Sequence, residues 1–127
     1  MIFVFGSNLA GIHGAGAARE ALRRHGAIYG EGRGEQGNSY AIPTKDEVLQ
    51  TLPLRIVEVY IWGFLCHARA HPKQDFQVTR IGCGLAGFYD AEIAPLFALA
   101  PDNCLFDAAW KRYLPAKRFW GTFKEKR

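Results

Sequence analysis

The residues here with a ready chemical use are glycines grouped at the ends of short apolar runs. Of 14 in 127 residues, four lie at Gly6, Gly11, Gly14 and Gly16, five at Gly26, Gly30, Gly32, Gly34 and Gly37, and three at Gly82, Gly84 and Gly87. Glycine weakens regular elements but lets the backbone approach another group closely. Backbone N–H groups free of bulky side chains can cradle a diphosphate without a lysine. Two loops have this composition, Gly6-Ser7-Asn8-Leu9-Ala10-Gly11-Ile12-His13-Gly14-Ala15-Gly16 and Gly82-Cys83-Gly84-Leu85-Ala86-Gly87-Phe88. Within them, an Asn8 amide can both donate to and accept from sugar hydroxyls. His13 reads as a general acid or base, a phosphate partner, or an ordinary loop histidine. Cys83 reads as a thiol activated by the positive end of a following helix, or as a small residue filling a loop.

Spacing tests these loops against common motifs. Gly6 and Gly11 have the glycine separation of a P-loop, but Ile12 and His13 stand where Lys and Ser or Thr belong, which argues against a Walker-type NTPase. The second loop satisfies GxGxxG literally, with Asp107 twenty residues beyond Gly87. That is the dinucleotide fingerprint, although only one further strand is expected after it, too little for a second mononucleotide half. His67 and His71 are four apart, but Ala68 replaces the Glu of HExxH and no third ligand is evident, so no metal is assigned. Asp46 suits either a sugar or base contact or the cap of a turn.

The elements that must carry these loops alternate. Met1 to Phe5 is an apolar run too short for a helix and reads as a central strand ending at Gly6. Gly14 to His25 places Ala17, Ala18, Ala21 and Leu22 on one helical face, with Gly26 as the stop. Residues 26–38 are too rich in glycine and charge for regular structure. Tyr40 to Ile42 is a short strand closed by Pro43, and Pro53 to Ala70 the longest helix, with Ile56, Val57, Tyr60, Ile61, Phe64, Leu65 and Ala68 at three- and four-residue steps. Phe76 to Ile81 is a third strand. A helix capped near Asp90 follows, its regular part starting nearer Glu92 because Pro95 belongs in a first turn. Asn103 to Phe106 is a last strand, and Asp107 to Tyr113 a helical turn or two. Strands alternating with helices predict a mainly parallel sheet covered on both faces, a three-layer α/β/α fold. In such sheets ligands bind beyond the carboxyl ends of the strands, where both glycine loops fall.

Composition limits the class. The chain is 49% hydrophobic and 22% charged, as expected of one soluble globular domain. Three cysteines without a CxxC pair argue against a disulfide framework, no apolar run approaches a membrane span of about 18 residues, and no targeting segment is evident, so the expected setting is cytoplasmic and free of membrane. The net charge of +4 is uneven, with Lys111, Arg112, Lys117, Arg118, Lys124, Lys126 and Arg127 set against Glu125 near the end of the chain. Phe119, Trp120 and Phe123 interleave with those charges, either as a stacking surface for single-stranded nucleic acid or as rings packed back on the domain. Residues 1–113 are therefore expected to form the α/β domain and 114–127 a basic aromatic extension, frayed after Gly121.

At the two loops the sequence resembles the macrodomain family. Val4-Phe5-Gly6-Ser7-Asn8-Leu9 followed by His13-Gly14-Ala15-Gly16-Ala17-Ala18 is similar to that family's Asn-Ala-Ala-Asn strand end and glycine-rich first loop. Ile81 to Phe88 is similar to its second, phosphate-binding loop. Gly84, Leu85, Gly87 and Phe88 fit that pattern, while Gly82, Cys83 and Ala86 replace its Ser, Thr and Tyr. Tyr40-Ala41-Ile42-Pro43-Thr44 takes the place of the intervening strand. The likeness runs from Ile2 to about Tyr113, is strongest at the loops, and is to compact, phage-type or bacterial members. The strand bearing the family's adenine-reading Asp has no counterpart, and Ala15, Ala17 and Ala18 occupy the region of the Asp found in some hydrolytic members.

The resemblance implies a cleft for ADP-ribose or a related nucleotide diphosphate, with no further cofactor. Asn8 would contact the distal ribose, Gly14 and Gly16 would let the first loop approach it, the Gly82–Gly87 backbone would wrap the diphosphate, and Phe88 would cover the distal ribose or an adjoining phosphate. The expected ligand-binding set is Gly6, Ser7, Asn8, Gly11, His13, Gly14, Gly16, Gly82, Cys83, Gly84, Leu85, Ala86, Gly87 and Phe88. Three other readings stay open: a hydrolase of an ADP-ribose derivative such as ADP-ribose 1''-phosphate, a nucleic-acid-binding protein working through its basic end, and a GxGxxG dinucleotide-binding domain.

Overall fold

The computed structural model describes residues 1–123. Alternation in the first apolar run sets the layering. Strand β1 (Ile2–Asn8) turns Phe3 and Phe5 to one face and Ile2 and Val4 to the other, and all four are buried. A strand buried on both faces belongs inside a sheet. β1 pairs in parallel with β3 (Ser39–Lys45) on one side and β4 (Phe76–Val78) on the other. Beyond β4 lie β5 (Cys104–Asp107) and β6 (Arg118–Gly121), both parallel, while β2 (Gly34–Gln36) runs antiparallel to β3. The order across the six strands is β2-β3-β1-β4-β5-β6.

Helix α1 (Gly16–Arg24) covers the Phe3 and Phe5 face through Ala18 and Ala21, next to Ala41 of β3. Side chains this small bring the helix close to the sheet. Helix α2 (Leu54–Ala70) covers the opposite face with Val57, Ile61, Phe64, Leu65 and Ala68. Helix α3 (Asp90–Ile93), continued as a 3-10 turn over Ala94–Phe97, completes that second layer with Ile93, Ala94 and Phe97. The larger core gathers Phe64, Phe76, Phe97, Phe106 and Trp110, with Phe64 edge-on to Phe76 at 5.4 Å and Phe97 tilted against Trp110 at the same centroid distance. Full burial of each such ring contributes about 1.5–3 kcal/mol. The architecture is three-layer α/β/α with a mostly parallel sheet. Among the described residues, no helix is long and apolar enough to cross a membrane.

Several boundaries differ from the sequence reading, each for an identifiable reason. β1 continues past Gly6 to Asn8, and Gly14 and Ala15 stand outside α1. The glycine-rich segment 26–38 contains β2 because buried Gln36 stitches it together: its side-chain oxygen accepts from the Ile28 amide at 2.8 Å and its nitrogen donates to the Glu31 carbonyl at 3.0 Å. β4 stops at Val78, three residues short of Ile81. The third helix begins at Asp90 and tightens to 3-10 geometry at Ala94, where Pro95 has no N–H to continue an α-helix. Its N-cap position is Tyr89 rather than Asp90, and Glu92 accepts from the Tyr89 amide at 2.9 Å.

The basic end carries β6. Lys117 Nζ donates to the Ala100 carbonyl at 2.8 Å, Arg118 to that of Asp102 at 3.0 Å, and the Trp120 indole N–H to that of Val78 at 2.9 Å. Phe119 and Trp120 are half-buried, and Phe123 packs edge-on against Phe3 at 6.1 Å. The chain expected to fray after Gly121 is thus ordered at least to Phe123; the remaining part of that expectation lies outside the described residues.

Candidate functional site

The topology creates a crevice. β1 hands the chain to α1 on one face of the sheet, and its neighbour β4 hands it to α3 on the other, so the two connections diverge at the carboxyl edge. Ligand crevices in open α/β sheets form at such a point. A cleft of about 330 Å³ lies there, at the lower end of the roughly 300–1,000 Å³ typical of small-molecule sites. Its floor is edged by two irregularities. Between Ser7 and Asn8 the pairing with β3 skips Thr44, and between Phe106 and Asp107 the pairing with β6 skips Trp120. Bulges of this kind re-aim side chains and end pairing beside sites.

The first loop contributes Gly6, Ser7, Asn8, Gly14 and Gly16 to the lining, and the second contributes Gly82, Cys83, Gly84, Leu85 and Ala86. The two loops thus meet across one cleft. Gly11, His13, Gly87 and Phe88 do not line it. Gly11 has φ +71°, and a Cβ there would collide with the backbone of Gly30 and Glu31, so this glycine joins the first loop to segment 26–38. His13 is turned inward, edge-on to Phe5 at 5.3 Å, with Nε2 at 3.0 Å from the Ile28 carbonyl and 3.1 Å from that of Glu31. Two acceptors at Nε2 fix the proton there and leave buried Nδ1 without a partner among the described residues. Phe88 is half-buried, packed on the core beneath Gly82. Asn8 lines the cleft, but its nitrogen donates to the Ile12 carbonyl at 2.8 Å and its oxygen accepts from the Ile12 amide at 2.9 Å. It shapes the loop.

Cys83 is not an activated nucleophile. Burial, reinforced by the Asp90 carboxylate, pushes its thiol up to about 12, and Sγ lies 3.4 Å from the Ile81 carbonyl as a donor. A protonated thiol follows. Asp90 is itself held below the usual carboxylate range, first by the Arg80 guanidinium, with bonds of 2.9 and 2.6 Å, and also by the Trp110 indole N–H at 2.6 Å. This cluster fixes the start of the second loop to the layer beneath it.

Other lining residues were not singled out for the site from the sequence: Thr44 and Lys45 at the end of β3, Thr79 and Arg80 just after β4, and Leu49, Ile12 and Phe123 around the opening. Asp107, weighed only as a dinucleotide acid, lies buried in the floor and accepts from the amides of Ala109 at 2.9 Å and Phe123 at 3.2 Å. A signal for the strand-end residues was present, since in a parallel sheet the last residue of every strand reaches the same rim. Asp46 instead organises its own turn, accepting from the amides of Val48 and Gln50 at 3.0 and 2.9 Å. His67 bonds Glu35 at 3.1 Å, and among the described residues no cluster of three or more His, Cys, Asp or Glu could hold a metal ion.

The start of α1 contributes the positive end of a helix dipole. Ala15 occupies the N-cap position in extended conformation, no side chain among the described residues caps the helix, and its first turn contains no acidic residue. The first-turn amides of Gly16, Ala17 and Ala18 have no intrahelical partners, and all three residues line the cleft. In the second loop, which lines the same cleft, the amides of Gly84, Leu85 and Ala86 donate to no protein group among the described residues. Comparison with family models, with curated proteins and with solved structures finds no match.

Proposed function

We propose that the cleft binds ADP-ribose or a related nucleotide diphosphate, the ligand class that the resemblance to macrodomains implies. One observation carries the reading: a helix N-terminus without a side-chain cap and a glycine-rich loop, both with amides that have no protein partner among the described residues, line the same cleft. Each is an anion site by dipole and by hydrogen bonding, and two on one cleft suit a diphosphate better than a single phosphate. Lys45 on the lining adds positive charge.

Binding without turnover is the better-supported form of this reading. Cys83 keeps its proton, His13 faces the core, and the Asn8 amide is occupied by Ile12. The reading through the basic end has less support, because Phe119 and Trp120 are half-buried and Phe123 lies on Phe3. Calorimetric titration with ADP-ribose, AMP, NAD and a short RNA tests the proposal. Heat with ADP-ribose or NAD exceeding that with AMP is expected; silence from every diphosphate overturns it.

A further inference from the structure

The side chains of the cleft have an unusual economy. The Ser7 hydroxyl donates to the Gly32 carbonyl, Thr44 to that of Ser7 at 3.2 Å, and Thr79 to that of Val4 at 2.7 Å. Asn8 is closed on Ile12, Arg80 is forked onto Asp90, and Asp107 holds two amides. The polar side chains of the floor therefore point their hydrogen bonds inward and brace the loops. Among the described residues, the lining groups without a protein partner include the amides of Gly84, Leu85 and Ala86, those of the first turn of α1, and the Lys45 ammonium, all of them donors suited to negative charge.

The mouth is different in kind. Ile12, Leu49 and Leu85 line the cleft while remaining exposed, Leu85 at 69%. Leu49 is held there with φ +65°, a backbone conformation uncommon for a side chain of this kind. Its turn is tied down by Asp46 and clasped to the second loop through Thr51, whose hydroxyl donates to the Ala86 carbonyl at 2.9 Å. Leu49 and Leu85 thus belong to two loops fastened together, and both offer apolar surface where a ligand with its diphosphate on the amides would emerge.

From this arrangement, and resting on the nucleotide reading above, we infer that the site is base-tolerant: the nucleobase lies against Leu49 and Leu85 at the mouth and is held by apolar contact, without hydrogen-bond reading of its edge. Discrimination between bases requires donors and acceptors placed to match one edge and left unpaired by another. Leucine supplies neither, and of the polar side chains that line the cleft all but Lys45 are engaged by protein groups among the described residues, Lys45 being the one assigned above to the charge of the diphosphate. The substrate class is therefore nucleoside diphosphates and their sugar derivatives as a group, selected on the diphosphate.

The test is titration of the whole protein with ADP, GDP, CDP, UDP and inorganic pyrophosphate, repeated with Leu49→Ala and Leu85→Ala. All four nucleotides should bind within about threefold of one another and more tightly than pyrophosphate, and each leucine substitution should weaken all four by roughly three- to tenfold while leaving pyrophosphate unchanged. A preference of about tenfold or more for one base overturns the inference while leaving the diphosphate site intact. Pyrophosphate binding as tightly as the nucleotides, or leucine variants without effect, removes the base from the mouth. If nothing binds, pyrophosphate included, the parent reading fails first. Circular dichroism of both variants, whose changed side chains are exposed, verifies that they remain folded.

Discussion

Gly6 and Gly82 touch through their backbones: a Cβ built on Gly6 would lie 3.2 Å from the Gly82 amide nitrogen, and one on Gly82, at φ +74°, would lie 3.0 Å from the Phe88 ring. The body of β1 at Gly6 and the start of the second loop are thereby held at a separation where an added side chain would be crowded. Gly6→Ala and Gly82→Ala should each destabilise the protein by about 1–3 kcal/mol, through crowding at the first and left-handed strain added to crowding at the second. Gly84→Ala, where a Cβ meets nothing within 4 Å, should change stability by less than about 0.5 kcal/mol. Urea denaturation of the three variants measures the contrast, and equal effects would show that this contact does not set the geometry.

Ala15→Asp separates ligand binding from folding. The new carboxylate would cap α1 and offset its dipole, raising stability by about 0.5–2 kcal/mol. It would also occupy the amides assigned to phosphate and repel a second negative charge. Higher thermal stability with at least about tenfold weaker binding of ADP-ribose is expected, and Ala15→Ser should fall between the two proteins. Unchanged affinity would move the anion away from α1.

The thiols respond to alkali in a defined direction. Burial raises Cys83 and Cys104 to about 12. A group that holds its proton more tightly when folded costs no stability below its unfolded pKa, near 9 for these thiols, and destabilises the fold as the pH rises from there toward 12. Denaturant midpoints should therefore fall progressively over that interval, less so in Cys104→Ala measured against its own value at neutral pH. Iodoacetamide at pH 8 should label exposed Cys66 in the folded protein and spare the other two, as peptide mass analysis would reveal.

Truncation after Tyr113 should leave little folded protein. It removes β6, the Leu114 side chain buried in the core, and the Trp120 bond to Val78, and it bares the edge of β5. Trp120→Phe keeps most of the ring and loses the indole bond, for a cost of about 1 kcal/mol. A truncated chain melting near the temperature of the full one would show that the sheet ends functionally at β5.

What the sequence disclosed follows the reach of local pattern. β1 and α2 were legible because burial writes itself as an apolar run in one and a three-to-four-residue rhythm in the other. Both glycine loops were legible as one rim because a parallel sheet forces strand ends together. β2 was hidden because its three residues are organised by Gln36 from within the loop, and β6 because Lys117 and Arg118, which read as solvated charge, spend donors on distant carbonyls. The site shows the same division. The glycines could be read, whereas the inward turn of His13 and the placement of Phe123, rather than Phe88, at the cleft depend on contacts between segments far apart in the chain.

The inward commitment of Ser7, Thr44 and Thr79 gives the cleft a form of mutational robustness. On the proposed reading, recognition through main-chain amides would be specified by the path of the loops, so the side chains of Cys83, Leu85 and Ala86 could be exchanged without erasing the charge-binding surface, provided the path survives. A site of the proposed kind could be retuned at its mouth one residue at a time while its grip on the anion persisted, a scaffold on which new ligand preferences would be readily selected.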